Sequence, residues 1–467
     1  MKAIKKLLAC VLAAVSLLAV CACADFGGKT DTGGNSDIIS TTPVAQPDGQ
    51  ETVVTACLNT GINPTYEGYA DVALASARSN LRSNTTMANG VFQYNYTVAL
   101  HNSAIGSDIR LQFYDYGWDD ALIQRLTLAF ANGSGPDIVT GETQMTAYMQ
   151  QGYLVAFPDW LETYVKENMH PLAYSAMMDE EGNIYGVAPC ATIPVLIWNK
   201  AVLRAAGIDE DIVENGVDTW AEWLDVGKKL DEAGSQMGGV YCGSNYGGYL
   251  RSTPFVYMAG GSLVNENNAA AFVSDENASA LQFLRDMSEY NTRGIMAANS
   301  EDTFYNRFNS GRSGYLVEGS WRILQSIDEG LDVGFCALPT VNEGDETQNV
   351  AIGATYMGVA YYSENQDAAF EAIRCYIDEA AQMEVAKSDL RPCTYLPIAD
   401  SAEYAELAPN QSKVYEIIKN DTSLRMMPSF ASGQEEFWEA WGSALTGAVY
   451  GDTGIMTLLQ TAQSRVN

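Results

Sequence analysis

Apolar positions along this chain follow two alternating rhythms. Asp108–Asp115 places Ile109, Leu111 and Phe113 on one face and Arg110, Gln112 and Tyr114 on the other, the period of a half-buried strand. A helix follows, to about Asn132, with an apolar stripe of Leu122, Ile123, Leu126 and Phe130. Asp119 and Asp120 sit at its start, where the helix dipole favours them, and Asn132-Gly133 ends it. The exchange then recurs. Glu51–Leu58, Ile138-Val139, Ile184–Val187, Val195–Trp198, Val240–Gly243 and Tyr315–Val317 read as strands. Lys200–Ala206, Ala278–Glu289 and the stretches 367–386 and 434–450 read as helices. Thr219 with Glu222 three residues later forms a capping box, opening a helix to about Ala233-Gly234. Residues 60–107, dense in Asn, Ser, Thr and Tyr, show no clear period, and no internal repeat or heptad run is visible. Strands alternating with helices predict an α/β protein, with mixed sheets covered by helices.

The N-terminus departs from this pattern. Lys2, Lys5 and Lys6 precede an apolar run from Leu7 to Val20, followed by Cys21-Ala22-Cys23-Ala24. A basic segment, an apolar segment of secretory length and a small-residue zone predict a signal peptide over 1–22; an uncleaved anchor is the competing reading. The segment resembles a bacterial lipoprotein signal, in which a small residue precedes a lipidated cysteine. Ala22 stands before Cys23, whereas bulky Val20 stands before Cys21, so Cys23 is the expected lipidation site and Cys21 the runner-up. Residues 23–50, rich in Gly, Ser, Thr, Asp and Pro, then form a flexible tether between the lipid bilayer and the globular body. Asp25 resembles the inner-membrane retention signal of such proteins where two membranes exist.

Charge and composition narrow the chemistry. A 467-residue chain exceeds one compact core, and its net charge of −32 repels phosphate backbones and anionic headgroups, so no nucleic-acid partner is expected. Only His101 and His170 supply imidazole, so His-rich metal sites are not expected, and no Walker loop or G-x-S-x-G elbow occurs. Neither a metal nor a cofactor is predicted. Cys57, Cys190, Cys242, Cys336, Cys375 and Cys393 show no CxxC spacing, and most are expected to be buried thiols.

Four motifs then carry a resemblance to the extracellular solute-binding proteins of ABC importers, in the sugar-binding family typified by maltose-binding protein. Ala131-Asn132-Gly133-Ser134-Gly135-Pro136-Asp137-Ile138 resembles the family's helix-to-strand turn, followed by Gly152-Tyr153-Leu154 and Phe157-Pro158. Gly182-Asn183-Ile184-Tyr185-Gly186-Val187-Ala188-Pro189 with Ile197-Trp198-Asn199-Lys200 resembles a second, with Trp198 in place of the usual Tyr. Phe304 to Phe308, Ser310-Gly311 and Gly319-Ser320-Trp321 resemble a third, and Phe437-Trp438 the late aromatic pair. The resemblance covers roughly 108–445. It implies a type II periplasmic-binding-protein-like fold: two discontinuous α/β lobes joined by a hinge of several crossing segments. Crossings are expected near Pro189–Ile193, Glu318–Trp321 and Tyr376–Ala381. Lobe one would comprise 51–189 and 320–378, and lobe two 190–319 and 379–467. It also implies a monomer without catalytic residues that captures a small-molecule solute, a sugar or oligosaccharide, and passes it to ABC permease subunits.

Sugars offer an apolar C–H face and a belt of hydroxyls, so their sites combine flat aromatics with planar polar groups. The resemblance places stacking tryptophans at Trp321 and Trp438, with Trp441 the competitor of Trp438. Trp118 stays open, and Trp220 and Trp223 read as core. Polar candidates lie in loops after strand ends, where open α/β sheets bind ligands. They are Asn59, Thr60 and Asn63; Glu142 and Gln144; Asn245, Tyr246, Tyr249 and Arg251; and Glu318 at a crossing. Asp137 is assigned to structure. A polyamine-binding protein, a lipid-anchored glycosidase and a surface scaffold or sensor are the alternatives.

Overall fold

The computed structural model describes residues 52–58, 109–116, 119–379, 382–383, 386, 391–421, 424–428 and 433–466. The expectations for the signal segment, Cys23, the tether, Asn59, Thr60, Asn63, His101 and Trp118 therefore lie outside the described residues. No helix among the described residues is long and apolar enough to cross a membrane.

In chain order the elements of the first layer are β1 (Thr52–Leu58), β2 (Ile109–Asp115), α1 (Asp119–Asn132), β3 (Ile138–Gly141), α2 (Gln144–Gln150), β4 (Leu154–Val155) and α3 (Asp159–Asn168). The chain then builds β5 (Pro194–Asn199), α4 (Lys200–Ala205), α5 (Glu210–Asn215), α6 (Trp220–Glu232), β6 (Gln236–Gly239), α7 (Tyr246–Met258), α8 (Asp275–Ser288) and α9 (Glu301–Asn309). There follow β7 (Ser313–Gly319), α10 (Trp321–Asp328), β8 (Val333–Cys336), β9 (Val350–Ala351), β10 (Tyr356–Ala360) and α11 (Gln366–Tyr376). The last elements are α12 (Leu396–Ala399), α13 (Ala402–Leu407), α14 (Pro409–Asn420), β11 (Arg425–Met426), α15 (Gln434–Tyr450) and α16 (Ile455–Val466).

Two mixed sheets organise these elements. The first has the order β2-β1-β3-β10-β4 and the second β6-β7-β5-β8. β1 runs parallel to β2 from Thr52 opposite Ile109 to Leu58 opposite Asp115, and β10 returns antiparallel to β3. In the second sheet β5 is antiparallel to both β7 and β8. β5 and β7 are buried along their whole length, which is why their central stretches Val195–Trp198 and Tyr315–Val317 run apolar without alternation. The expected turn role of Asp137 is clear: its carboxylate accepts from the Thr55 N–H (2.8 Å) and hydroxyl (2.6 Å) and from the Ser363 hydroxyl (2.7 Å), tying β1, β3 and the end of β10 together. The capping box also forms. Thr219 Oγ1 accepts from the Glu222 N–H (3.2 Å), and Glu222 accepts from the Asp218 N–H (2.8 Å).

Some elements differ from the sequence expectation. The strand expected at Val240–Gly243 lies instead at Gln236–Gly239, where Gly238 and Gly239 adopt φ of 76° and 109° to run beside β7. The helical stretch expected over 367–386 is interrupted rather than continuous: a helix spans Gln366–Tyr376, a turn follows at 377–378, and the described residues 379, 382–383 and 386 are helical again. Trp220 and Trp223 are core residues, Trp220 stacking on Phe283 at 4.1 Å.

The chain passes between the sheets in laterally paired segments. Val187 pairs with Met357 beside the first sheet, and Pro194 begins β5 in the second, so residues 188–193 cross where a crossing was expected. Glu318 was also expected at a crossing. The chain beyond it instead forms α10 and β8, and β8 pairs with β5, so residues 320–336 stay with the second sheet. The return runs between β8 and β10, where Ile352 pairs with Thr192. Likewise, Ile377, Tyr395, Ile398 and Tyr404 pack into the core that holds Phe157 and Leu161 of the first sheet's helices, so residues on both sides of the crossing expected near Tyr376–Ala381 belong to that lobe. The chain returns after α13 to place α15 against α7 and α8.

Candidate functional site

Two loops at strand and helix ends face each other from opposite lobes. On the first lobe, β3 ends at Gly141, and Glu142-Thr143 leads into α2. The Gln144 carboxamide folds back so that its Oε1 accepts from the Glu142 N–H at 3.2 Å. Glu142 and Gln144 are both half-buried. Beneath them Tyr356 is fully enclosed with its hydroxyl unpartnered, and burial, then the Glu142 charge, raises its pKa.

On the second lobe, Asn245 caps α7, its side-chain oxygen accepting from the Gly248 N–H at 3.0 Å while its amide donates to the Tyr241 hydroxyl at 3.2 Å. The cap leaves Tyr246 on the first turn. Its ring lies 4.7 Å from that of Trp438 on α15, and Tyr249 lies 6.2 Å from the same indole. Thr143 donates its hydroxyl to Tyr246 at 3.4 Å, a contact spanning from one lobe to the other. Tyr246 and Trp438 are half-buried, whereas Trp441, one turn on, is fully buried and donates its indole N–H to Ser252 at 2.9 Å. Trp441 is thus the core indole of this helix, and Trp438 the partly exposed one.

Trp321 opens α10 directly after β7 and is half-buried. Its six-membered ring lies where side chains on Gly319 and Gly353 would stand: a Cβ on either would approach its Cζ3 within 2.3 or 2.6 Å. Gly353 adopts φ of 60° in the returning crossing, so the ring rests on backbone that only glycine provides. Arg391 fastens this crossing by donating to the Gly353 carbonyl (2.6 Å) and the Thr355 hydroxyl (2.9 Å).

The remaining candidates do not lie in loops. Tyr249 and Arg251 are inside α7, whose residues from Gly247 to Tyr257 are all buried. Tyr249 donates its hydroxyl to the Pro428 carbonyl at 3.0 Å. Arg251, 5% exposed, meets Glu318, 0% exposed, through Nη2 and Nε, each 2.7 Å from Oε2, and meets Glu301 at 3.0 Å. Tyr305 donates to Glu318 and lies 2.9 Å from Glu301, and the Gly319 N–H closes the knot on the other Glu318 oxygen at 2.9 Å. Burial pulls the Arg251 pKa down, but the carboxylates more than offset it and the guanidinium stays charged. Burial, then the Glu318 charge, pushes the Tyr305 hydroxyl far above its ordinary range. Arg322 stacks over the same Tyr305 ring at 5.0 Å. The knot braces the end of β7, directly before Trp321. Sequence reasoning did not single out Thr143, Tyr305, Glu301, Arg322, Tyr356 or Arg391; the Glu301/Tyr305 spacing on one helix face was the available signal.

A family model for bacterial extracellular solute-binding proteins matches residues 106–383. The arabinooligosaccharide-binding protein of Halalkalibacterium halodurans is 23% identical over 260 residues, 54% of this chain and 56% of that one. The galactooligosaccharide-binding protein of Bacillus subtilis is 25% identical over 267 residues, 53% and 58% of the two chains. The chain thus spans little more than half the length of these curated relatives. In fold it is similar to the cyclic α-maltosyl-1,6-maltose binding protein of Arthrobacter globiformis, with a TM-score of 0.69 at 20% identity over 89% of this chain and 98% of that one. A cyclo/maltodextrin-binding protein solved with maltotetraose gives 0.68 at 17% identity, covering 90% and 98%.

Proposed function

The chain belongs to the bacterial extracellular solute-binding protein family, and from that premise we propose that it captures a carbohydrate, an oligosaccharide rather than a free ion, between its lobes. Such a family member works outside the cytoplasm. The observation that carries the reading is the aromatic shelf of Tyr246 and Trp438 on one lobe, set against Glu142, Thr143 and Gln144 on the other. A sugar ring laid on the shelf presents its edge hydroxyls to the opposing carboxylate and carboxamide. Trp321, seated between the lobes on Gly319 and Gly353, supplies a second stacking face. Asn245 offers a further polar group. Tyr249, Arg251 and Glu318 hold the shelf and the Trp321 turn in place from behind. The oligosaccharide-binding relatives support the choice of ligand class.

The cycle is binding without covalent chemistry. The ligand favours the closed state only by contacts it makes with both lobes at once. The closed protein then docks on ABC permease subunits as a monomer, tethered through a lipid on Cys23. Metabolic labelling with a fatty acid tests the tether: Cys23→Ser abolishes incorporation, and loss with Cys21→Ser alone reassigns the site.

Calorimetric titration with arabino-, galacto- and malto-oligosaccharides tests the ligand class, with polyamines as the competing solutes. The double variant Trp321→Ala/Trp438→Ala should lose binding of whichever sugar the native protein takes. Unchanged affinity in that variant, or binding of polyamines alone, would sink the proposal.

A further inference from the structure

The segment 187–194 is bonded on both sides as it crosses between lobes. On one side Val187 and Thr192 pair with Met357 and Ile352. On the other, Cys190 stands opposite Cys393 in an antiparallel bridge. The hydrogen bonds flank this pair: the Ala191 N–H donates to the Pro392 carbonyl at 3.2 Å and the Thr394 N–H to the Pro189 carbonyl at 3.0 Å. That makes it the narrow site of an antiparallel ladder, where Cα atoms lie about 4.5 Å apart and both side chains leave the same face. A disulfide tolerates Cα separations of roughly 4.4–6.8 Å. Both residues are fully buried and carry thiols in this structure. Cys57, Cys242, Cys336 and Cys375 lie on other elements, none in a strand pair with a cysteine.

We propose that Cys190 and Cys393 are a disulfide site, closed when the chain folds outside the cytoplasm, and that the bond staples the first crossing to the segment carrying Tyr395. The reaction is thiol–disulfide exchange with a disulfide oxidant, either a small-molecule disulfide or a dithiol oxidoreductase in its oxidised form. One cysteine thiolate attacks the oxidant's disulfide, forming a mixed disulfide and expelling one thiol. The second cysteine attacks the mixed disulfide, forming the protein bond and expelling the other thiol. The two protein thiols lose two electrons and two protons, and the oxidant's disulfide gains both. Since neither sulfur is exposed in the folded chain, exchange takes place before the crossing is covered. The bond closes a loop of roughly 200 residues, so it removes much conformational freedom from the unfolded chain. The proposal is independent of the ligand.

The purified protein is unfolded, reduced and refolded in a glutathione redox buffer, then denatured, alkylated without reduction and digested for mass spectrometry. The expected product is a peptide pair joining Cys190 to Cys393, absent from Cys190→Ala and from Cys393→Ala and retained in Cys242→Ala. Reduction should lower the thermal midpoint of the native sequence by roughly 3–6 °C and leave that of Cys190→Ala/Cys393→Ala unmoved. Full alkylation of both cysteines after refolding, or linkage of either to a different cysteine, overturns the proposal. Should a variant fail to fold, the peptide map of the native sequence alone decides.

Discussion

Replacing Arg251 by methionine removes the cation at the centre of the buried knot while filling most of its volume. Glu318 then keeps a carboxylate at 0% exposure with only the Tyr305 hydroxyl and the Gly319 N–H to satisfy it. Leaving one member of a buried ion pair uncompensated costs about 3–5 kcal/mol. Since Glu301, 30% exposed, faces the same vacated site, the carboxylate repulsion no longer has a cation between its partners. Over a chain of this size such a loss lowers the thermal midpoint by roughly 4–6 °C. The double variant Arg251→Met/Glu318→Gln, in which Tyr305 still donates to the amide oxygen, should recover at least about 2 kcal/mol of the sum of the single costs. Urea and thermal melts of the four proteins of this cycle measure the coupling. A single-variant cost below about 1 kcal/mol, or additivity of the two substitutions, would refute the view that these charges are bound to one another rather than poised for ligand.

Other outcomes are expected from the same geometry. Trp438→Ala should weaken carbohydrate binding about 10–100-fold in calorimetry with little change in stability, while Trp441→Ala, which empties a fully buried site, should cost about 3–5 kcal/mol in melts. Gly353→Ala places a Cβ 2.6 Å from the Trp321 ring and should lower affinity with the shelf untouched; the same titration reads it. Asp137→Ala removes the acceptor for Thr55 and Ser363 and should cost about 2–4 kcal/mol in urea. His170 has its pKa lowered, by burial first, and its Nδ1 accepts from the Leu172 N–H at 3.2 Å, which requires the neutral ring. The unfolded chain therefore binds the extra proton, so this contribution is present above pH 6.5 and is lost as pH falls from there towards the folded value. Midpoints measured from pH 7.5 to 5 should fall less steeply in His170→Asn than in the native sequence.

Much of this architecture is legible in the pattern of residues because β2, α1 and α6 each bury one face. Their alternation, stripe and cap report that directly. β6 is not legible, since Gln-Met-Gly-Gly has no strand preference and is held by β7 and by positive φ at its glycines. Nor is α7. Its interior is buried on all sides, so Tyr-Gly-Gly-Tyr-Leu-Arg-Ser-Thr-Pro has no polar face to mark a period, and Tyr249 and Arg251 read as loop residues. The knot partners lie on α7, α9 and β7, brought together by tertiary packing alone. The shelf was half legible: Trp438 follows from the late aromatic pair, but its exposure relative to Trp441 depends on which face of α15 meets α7.

The crossing segments behave as one ribbon, not as independent strings. Residues 187–194 are hydrogen-bonded to 352–357 along one edge and to 392–394 along the other. A ribbon so paired flexes out of its own plane but resists shear within it, since shear would break every lateral bond together. Bending of this ribbon out of its plane is therefore the lobe movement that its lateral bonds oppose least. On the proposed function, a ligand held by both lobes would need to order that bend rather than a set of independent rigid-body coordinates.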